Sequence, residues 1–268
     1  MIVTTSLRSA PDDVAVASRF ALEIDGTYVP RETKALSELY AECNVTQLVV
    51  IERRQPIVYQ GDNRFFFHRG MAELRILNFI RSGHDPMIAA MGLEPGMSVL
   101  DCTLGLAADA LVAAFAAGDT GQVHGLEAST LVATLTQWGL TDLCTEGADA
   151  RAETKQAAAR IHVINEDHQH FLTELPANSF DVVYFDPMFR RPKPASVGIQ
   201  PLRIFADTSP LTREAIQQAQ RVARTRVVIK EAHGCQEFNR LGIRNFGGGR
   251  YSPVQYGILF KEEVHWTD

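Results

Sequence analysis

Beyond residue 93 the chain alternates short apolar runs, rich in β-branched residues, with stretches of helical period. The runs fall at 98–103, 122–127, 161–165, 181–185 and 226–230. Helices are expected between them, at 108–117, 131–136, 151–159 and 212–224. Strands that alternate with helices predict a parallel, doubly wound sheet covered on both faces. The end of the chain departs from this rhythm. A glycine-rich turn at 242–247 leads into an apolar run at 254–260 with no helix between, which predicts an antiparallel hairpin at one sheet edge.

Residues 1–70 read as a small α/β domain of their own. Helical periodicity at 10–22 and 33–43 precedes strand-like runs at 47–52 and 55–59, which meet at a tight Arg53-Arg54 turn. An aromatic run at 64–69 adds a strand, and His84-Asp85-Pro86 opens a short helix ending near Gly92. Residues 71–92 are expected to form a helical connector, and 93–268 the doubly wound domain.

A hydrophobic content of 46% over 268 residues supports a sizeable core. The sequence has no run of 18 apolar residues, so no membrane helix is expected, and its start shows no secretory pattern. Cys43, Cys102, Cys144 and Cys235 are scattered without a CxxC pair, which fits reduced thiols in the cytoplasm better than a disulfide frame or a zinc site. No metal is expected; His168 and His170 lack partners at metal-ligand spacing. The net charge of −6 argues against nucleic acid, but its distribution reverses the argument. Residues 186–250 carry 12 Lys/Arg against 5 Asp/Glu, which leaves −13 on the remainder. A basic stretch on an acidic chain suggests a local phosphate-facing surface. Solvated helix faces and internal ion pairs are the plainer reading for several of these arginines.

Chemistry collects at the strand ends. Asp101, Glu127, Asp167 and Asp186 each close or follow one of the first four strands of the doubly wound domain, where such sheets bind ligands. Glu127 can take both ribose hydroxyls of a nucleoside, and Asp167 can accept from an adenine amine. Gly105 lets the backbone turn tightly beside a helix N-terminus. The Gly-x-Gly-x-x-Gly of a dinucleotide site is missing. After the fourth strand comes Asp186-Pro187-Met188-Phe189. An oxygen of Asp186 and the Pro187 carbonyl can accept the two N–H bonds of a planar amine, and Phe189 can stack on a base.

The segment from Asp101 to Asp109 resembles methyltransferase motif I, Asp-x-Thr-x-Gly-x-Gly-x-Asp, with Asp101, Thr103, Gly105 and Asp109 matching and Ala107 at the second glycine. The tetrad at Asp186 is similar to the signature of methyltransferases acting on exocyclic amines. Together they resemble the class I S-adenosylmethionine (SAM)-dependent methyltransferases, over residues 93–262. More narrowly the chain resembles the small-subunit ribosomal RNA guanine-N2 methyltransferase J-like family, which shares the Asp-Pro-Met-Phe tetrad, a Val-Val-Lys strand matched by Val227 to Lys230, and the His68-Arg69 pair. Arg190 stands where that family often has proline. The resemblance implies a Rossmann-like, mostly parallel methyltransferase sheet with a small N-terminal α/β domain, and SAM as cofactor. It implies Asp186, Pro187 and Phe189 as catalytic residues and RNA as substrate, with guanine N2 the target. Asp186 either takes a proton or only orients the amine. Lys230 either contacts RNA or pairs with an acid. Arg190, Arg191 and Lys193 either anchor phosphate beside an extruded nucleotide or form an ordinary basic loop. His68 and Arg69 either face the site or serve the fold. The rival functions are a methyltransferase for a small-molecule or protein amine, and a non-catalytic nucleoside- or RNA-binding module. The sequence sets no oligomeric state.

Overall fold

The two kinds of hydrophobic pattern produce two sheets. A computed structural model of the chain describes residues 1–145, 148–187, 210–249 and 252–262. The first part runs β1 (Ile2–Thr5), α1 (Pro11–Glu23), β2 (Thr27–Tyr28), α2 (Leu36–Glu42), β3 (Leu48–Glu52), β4 (Gln55–Gln60) and β5 (Asn63–Phe65). These strands lie in the order β2-β1-β3-β4-β5, with β1 parallel to both neighbours and β3-β4-β5 an antiparallel meander. Val3, Val49, Ile51 and Val58 pack with Phe20 of α1 on one face, while Leu48 and Val50 meet Leu39 of α2 on the other.

Two helices follow, α3 (Gly70–Ser82) and α4 (Pro86–Met91). Asp85 caps α4 by accepting from the N–H groups of Met87 and Ile88, and Pro86 sits in its first turn, where its missing N–H costs nothing.

The remaining elements are β6 (Ser98–Asp101), α5 (Ala108–Ala116), β7 (Gln122–Leu126), α6 (Thr130–Leu143), α7 (Ala152–Ala158), β8 (Ile161–Ile164), α8 (His168–Glu174), β9 (Phe180–Phe185), α9 (Arg213–Val222), β10 (Ala223–Ala232), α10 (Glu237–Arg240), β11 (Asn245–Gly247) and β12 (Val254–Phe260). Their strands are ordered β11-β12-β10-β9-β6-β7-β8, parallel from β10 to β8, with β12 antiparallel to β10 and β11 antiparallel to β12. Strand side chains alternate between faces. Val182, Tyr184 and Val228 enter a core shared with α3, α4, α5 and α7, while Val183, Phe185 and Ile229 enter one shared with α8, α9 and α10.

The structure corrects several sequence expectations. The aromatic run at 64–69 is a strand only to Phe65, because the chain then turns away and Phe67 fills the space over Gly139 of α6. The helix expected at 131–136 continues to Leu143, since Leu140 and Leu143 remain buried beyond it. The glycine-rich turn at 242–247 contains β11, which pairs Asn245 with Ile258. Strands β1 and β2 and helices α8 and α10 had no sequence signal strong enough to predict them; all four are seven residues or shorter. Among the described residues, no helix is long and apolar enough to cross a membrane, and no group of three or more His, Cys, Asp or Glu could hold a metal ion.

Candidate active site

The strand order reverses between β6 and β9. From β6 the chain moves outward through β7 to β8, then returns to place β9 on the other side of β6. Ligands of open α/β sheets bind at the carboxyl ends of the strands at such a switch point. Asp101 ends β6 and Asp186 directly follows β9, so both flank this crevice.

The loop after β6 is tied to its surroundings by polar contacts. Thr103 donates its backbone N–H to the Asp101 carboxyl at 3.0 Å, and its hydroxyl accepts from the Asp186 backbone N–H at 2.6 Å. That hydroxyl joins the ends of β6 and β9. Gly105 donates its N–H to one oxygen of Glu127 at 3.1 Å, and Ser129 donates to the other at 2.9 Å. Thr136 of α6 donates its hydroxyl to the Gly105 carbonyl at 2.7 Å. Each Glu127 oxygen keeps a free lone-pair direction after these bonds. Burial pushes the Glu127 carboxyl up, and the two N–H groups oppose the shift.

The loop fits a closely held nucleoside ligand. Gly105 adopts a left-handed φ of 52°, and the one atom near a methyl group built there is the Thr103 carbonyl at 4.0 Å, so the space before the backbone is open. Ala107, at the second glycine of the motif, also has a left-handed φ of 59°. Its methyl is fully buried in the core, so it costs roughly 1 kcal/mol of backbone strain without reaching toward the ligand space. Asp167 follows β8 and caps α8, accepting from the Gln169 N–H at 2.8 Å.

On the face covered by α3 and α5 lies a chain of alternating charges. Lys230, just past the Ile229–Phe185 pair of β10 and β9, reaches Asp186 at 2.7 Å and Asp109 at 2.8 Å. Asp109, in the first turn of α5, also accepts from the Tyr184 hydroxyl at 2.7 Å and from Arg75 of α3. Arg75 forks onto Asp85 through two bonds of 2.9 Å. The order Asp85, Arg75, Asp109, Lys230, Asp186 alternates in sign, and Asp186, at 31%, is its most exposed member.

The charges set one another. Burial alone would raise the Asp109 carboxyl, but Lys230 and Arg75 hold it below the carboxylate range. Burial would lower Lys230, but Asp186 and Asp109 hold it above its usual value. Burial pushes Asp186 up, Lys230 pulls it back against Asp109, and it settles at about 6. With nearly a third of the side chain open to water, the ammonium contact decides, and Asp186 is a carboxylate at neutral pH. Asp101, shut away from solvent and facing Asp109 and Asp186, is pushed by burial up to about 8.

Of the residues singled out from sequence, the structure gathers Asp101, Thr103, Gly105, Glu127, Asp186 and Pro187 about one crevice. Asp109 and Lys230 stand beside it, with their polar atoms spent on each other and on Arg75, Tyr184 and Asp186. Phe189, Arg190, Arg191 and Lys193 lie outside the described residues. His68 is exposed, and Arg69 pairs with Glu73 at 3.1 Å. The sequence reading missed Arg75, Tyr184 and Asp85. An isolated arginine between Leu74 and Ile76 was the signal available for the first, and Asp-Pro at a helix start for the last.

Comparison with known proteins gives four findings. Residues 40–241 match a family described as "Putative SAM-dependent methyltransferase". The chain is 36% identical over 258 residues to the protein YpiP of Bacillus subtilis, covering 96% of this chain and 98% of that one. It is 37% identical over 107 residues to ribosomal RNA small subunit methyltransferase J of Halorhodospira halophila, covering 39% of this chain and 37% of that one. Among solved structures, a SAM-dependent methyltransferase from Neisseria gonorrhoeae superimposes with a TM-score of 0.67 at 16% identity, over 99% of this chain and 98% of that one, which establishes the shared fold.

Proposed function

Because the chain belongs to this family of SAM-dependent methyltransferases, we propose that its substrate is an exocyclic amine of RNA, and specifically N2 of a guanine in small-subunit ribosomal RNA. S-adenosylmethionine is the cofactor, and when bound it supplies an electrophilic methyl group on a sulfonium. The residues of the chain bind and orient. Glu127 presents two oxygens, already aimed by Gly105 and Ser129, to the ribose hydroxyls. Asp167 faces the adenine end, and the open space at Gly105 admits the ligand against the backbone.

The observation that carries the amine reading is Asp186, fixed at the switch point by its backbone bond to Thr103 and its ion pair with Lys230. An aromatic amine delocalises its lone pair into the ring and is a weak nucleophile. Asp186 and the Pro187 carbonyl, accepting its two N–H bonds, hold the nitrogen with that lone pair facing the methyl donor. Positive charge develops on nitrogen as the new bond forms, so an anionic acceptor stabilises the transition state more than the ground state. The methylated nitrogen must then shed a proton, and a carboxylate at about 6 with access to water is a sufficient acceptor. Phe189 takes the base-stacking role.

Two facts favour RNA over a small substrate: the kinship with a ribosomal RNA small subunit methyltransferase, and the excess of Lys and Arg over residues 186–250. The test is mass analysis of small-subunit ribosomal RNA nucleosides from a strain lacking the gene. The expected result is loss of N2-methylguanosine at one position, restored by the wild-type gene and not by Asp186→Ala. An unchanged nucleoside profile rejects the ribosomal target.

A further inference from the structure

We infer that the small N-terminal sheet carries a second RNA-contacting surface, an arginine rim at the Arg53-Arg54 turn that grips the phosphate backbone away from the methylated base. The inference rests on the RNA reading above. The Arg53-Arg54 turn breaks a local rule. Glu52 pairs with Gln55, so Arg53 and Arg54 alone connect β3 to β4. Both are left-handed, with φ of 50° and 67°. A two-residue turn of this kind favours Asn-Gly, because side chains with a Cβ are strained at positive φ. Two arginines are a poor choice for the backbone.

Polar contacts hold the strained turn in place. Asp13, 3% exposed at the start of α1, accepts from the backbone N–H of Arg54 at 2.9 Å and from that of Ala10 at 3.0 Å. Gln55 donates to the Phe67 carbonyl at 3.3 Å. The arginine side chains gain nothing from this arrangement. Both are exposed, and neither has a hydrogen-bond or ion-pair partner among the described residues. Strain that the fold maintains without a structural return points to the side chains as its purpose.

The neighbourhood extends the charge. Ser6 donates to the Ile51 carbonyl at 3.0 Å, which brings the segment with exposed Arg8 beside the end of β3. Arg31 reaches the Thr5 carbonyl at the same end of the sheet. Asp12 and Glu32 adjoin Asp13 and Arg31 in sequence, while Asp13 is spent on the backbone and Glu52 on Tyr59 and Arg64. The rim also lies on the side of the catalytic crevice. Strand β5 runs back toward the turn, so residues 66–69 and the start of α3 sit at the turn end. Arg75, less than two helical turns into α3, reaches Asp109. The path from the turn to Asp186 is on the order of 25 Å. A single RNA strand spans that in a handful of nucleotides.

The variant Arg53→Asn with Arg54→Gly separates a functional role from a structural one, because it gives the turn the residues its backbone prefers. The melting temperature should rise by about 2–4 °C. Binding to protein-free small-subunit ribosomal RNA, followed by fluorescence anisotropy across a salt series, should weaken by about 25-fold at 0.1 M salt. The slope of log K against log salt should fall by about 1.4, for two lost phosphate contacts at about 0.7 each. Cofactor affinity by calorimetry should not change. If wild type and variant bind the RNA with the same affinity and slope, the rim is no RNA surface while the RNA reading stands. If the wild-type protein itself shows no salt-dependent RNA binding, the RNA reading falls, and the rim with it. A drop in melting temperature would assign the two arginines to the fold and overturn the inference.

Discussion

Replacing Lys230 with methionine isolates what the ammonium does for Asp186. Methionine keeps most of the length of the side chain, so the main change is the loss of one positive charge 2.7 Å from the carboxylate. Asp109 retains Arg75 and Tyr184 as partners, whereas among the described residues Asp186 pairs with no cation besides Lys230. Two unit charges about 4 Å apart at an effective dielectric near 20 interact by about 4 kcal/mol. Asp186 is 31% exposed, and screening by water halves that to about 2 kcal/mol, or about 1.5 pKa units. The carboxyl should therefore move from about 6 to roughly 7.5. At pH 7 the ionised fraction falls from about nine-tenths to about one-quarter, a rate loss near fourfold from charge alone. The assay is single-turnover methyl transfer to RNA from pH 5.5 to 9. The wild-type profile should rise with a midpoint near 6, and that of Lys230→Met near 7.5, the two converging at pH 9. A midpoint that does not move refutes the argument. A loss as large at pH 9 as at pH 7 does so too, and returns Lys230 to a direct substrate contact.

Glu127→Gln should weaken SAM binding about 10- to 100-fold by calorimetry, because the amide keeps the shape but loses charge-assisted acceptance from the ribose. Gly105→Ala should reduce cofactor affinity at least tenfold with little change in folding beyond a strain near 1 kcal/mol, whereas Ala107→Gly should leave affinity nearly unchanged and shift stability by less than about 1 kcal/mol, because the relieved strain offsets the lost buried methyl; denaturant unfolding and calorimetry distinguish the two. Asp109→Asn leaves Arg75 and Lys230 facing a neutral group and should cost about 3–5 kcal/mol in urea unfolding at pH 7. Since Asp109 is held below the usual carboxylate range, its contribution is present above about pH 4 and fades on acidification. The gap between variant and wild type should thus narrow as pH falls, and a gap independent of pH would count against the ion network.

What the sequence by itself determined is what short-range pattern controls. The period of apolar residues placed the strands of the doubly wound sheet, and a strand's end is where the pattern stops. Asp101, Glu127 and Asp186 were therefore legible as crevice residues. So were the parallel order implied by strand–helix alternation and the antiparallel β12. What only the tertiary structure decided is how each side chain is spent. Asp109 matches a cofactor motif in the linear text, yet its oxygens accept from Arg75, Lys230 and Tyr184, which come from three separate elements. No local rule links position 75 to 109 or 109 to 230. The charge on Asp186 depends on a lysine 44 residues away, which the sequence left open between an RNA contact and an acid pair. Helix α6 outlasts its predicted end because the small sheet, the Gly105 loop and Phe67 all pack along it, and the register of those contacts is not written in its own periodicity. Strand ends are fixed by neighbours in sequence, whereas ionisation and the pairing of buried polar groups are fixed by neighbours in space.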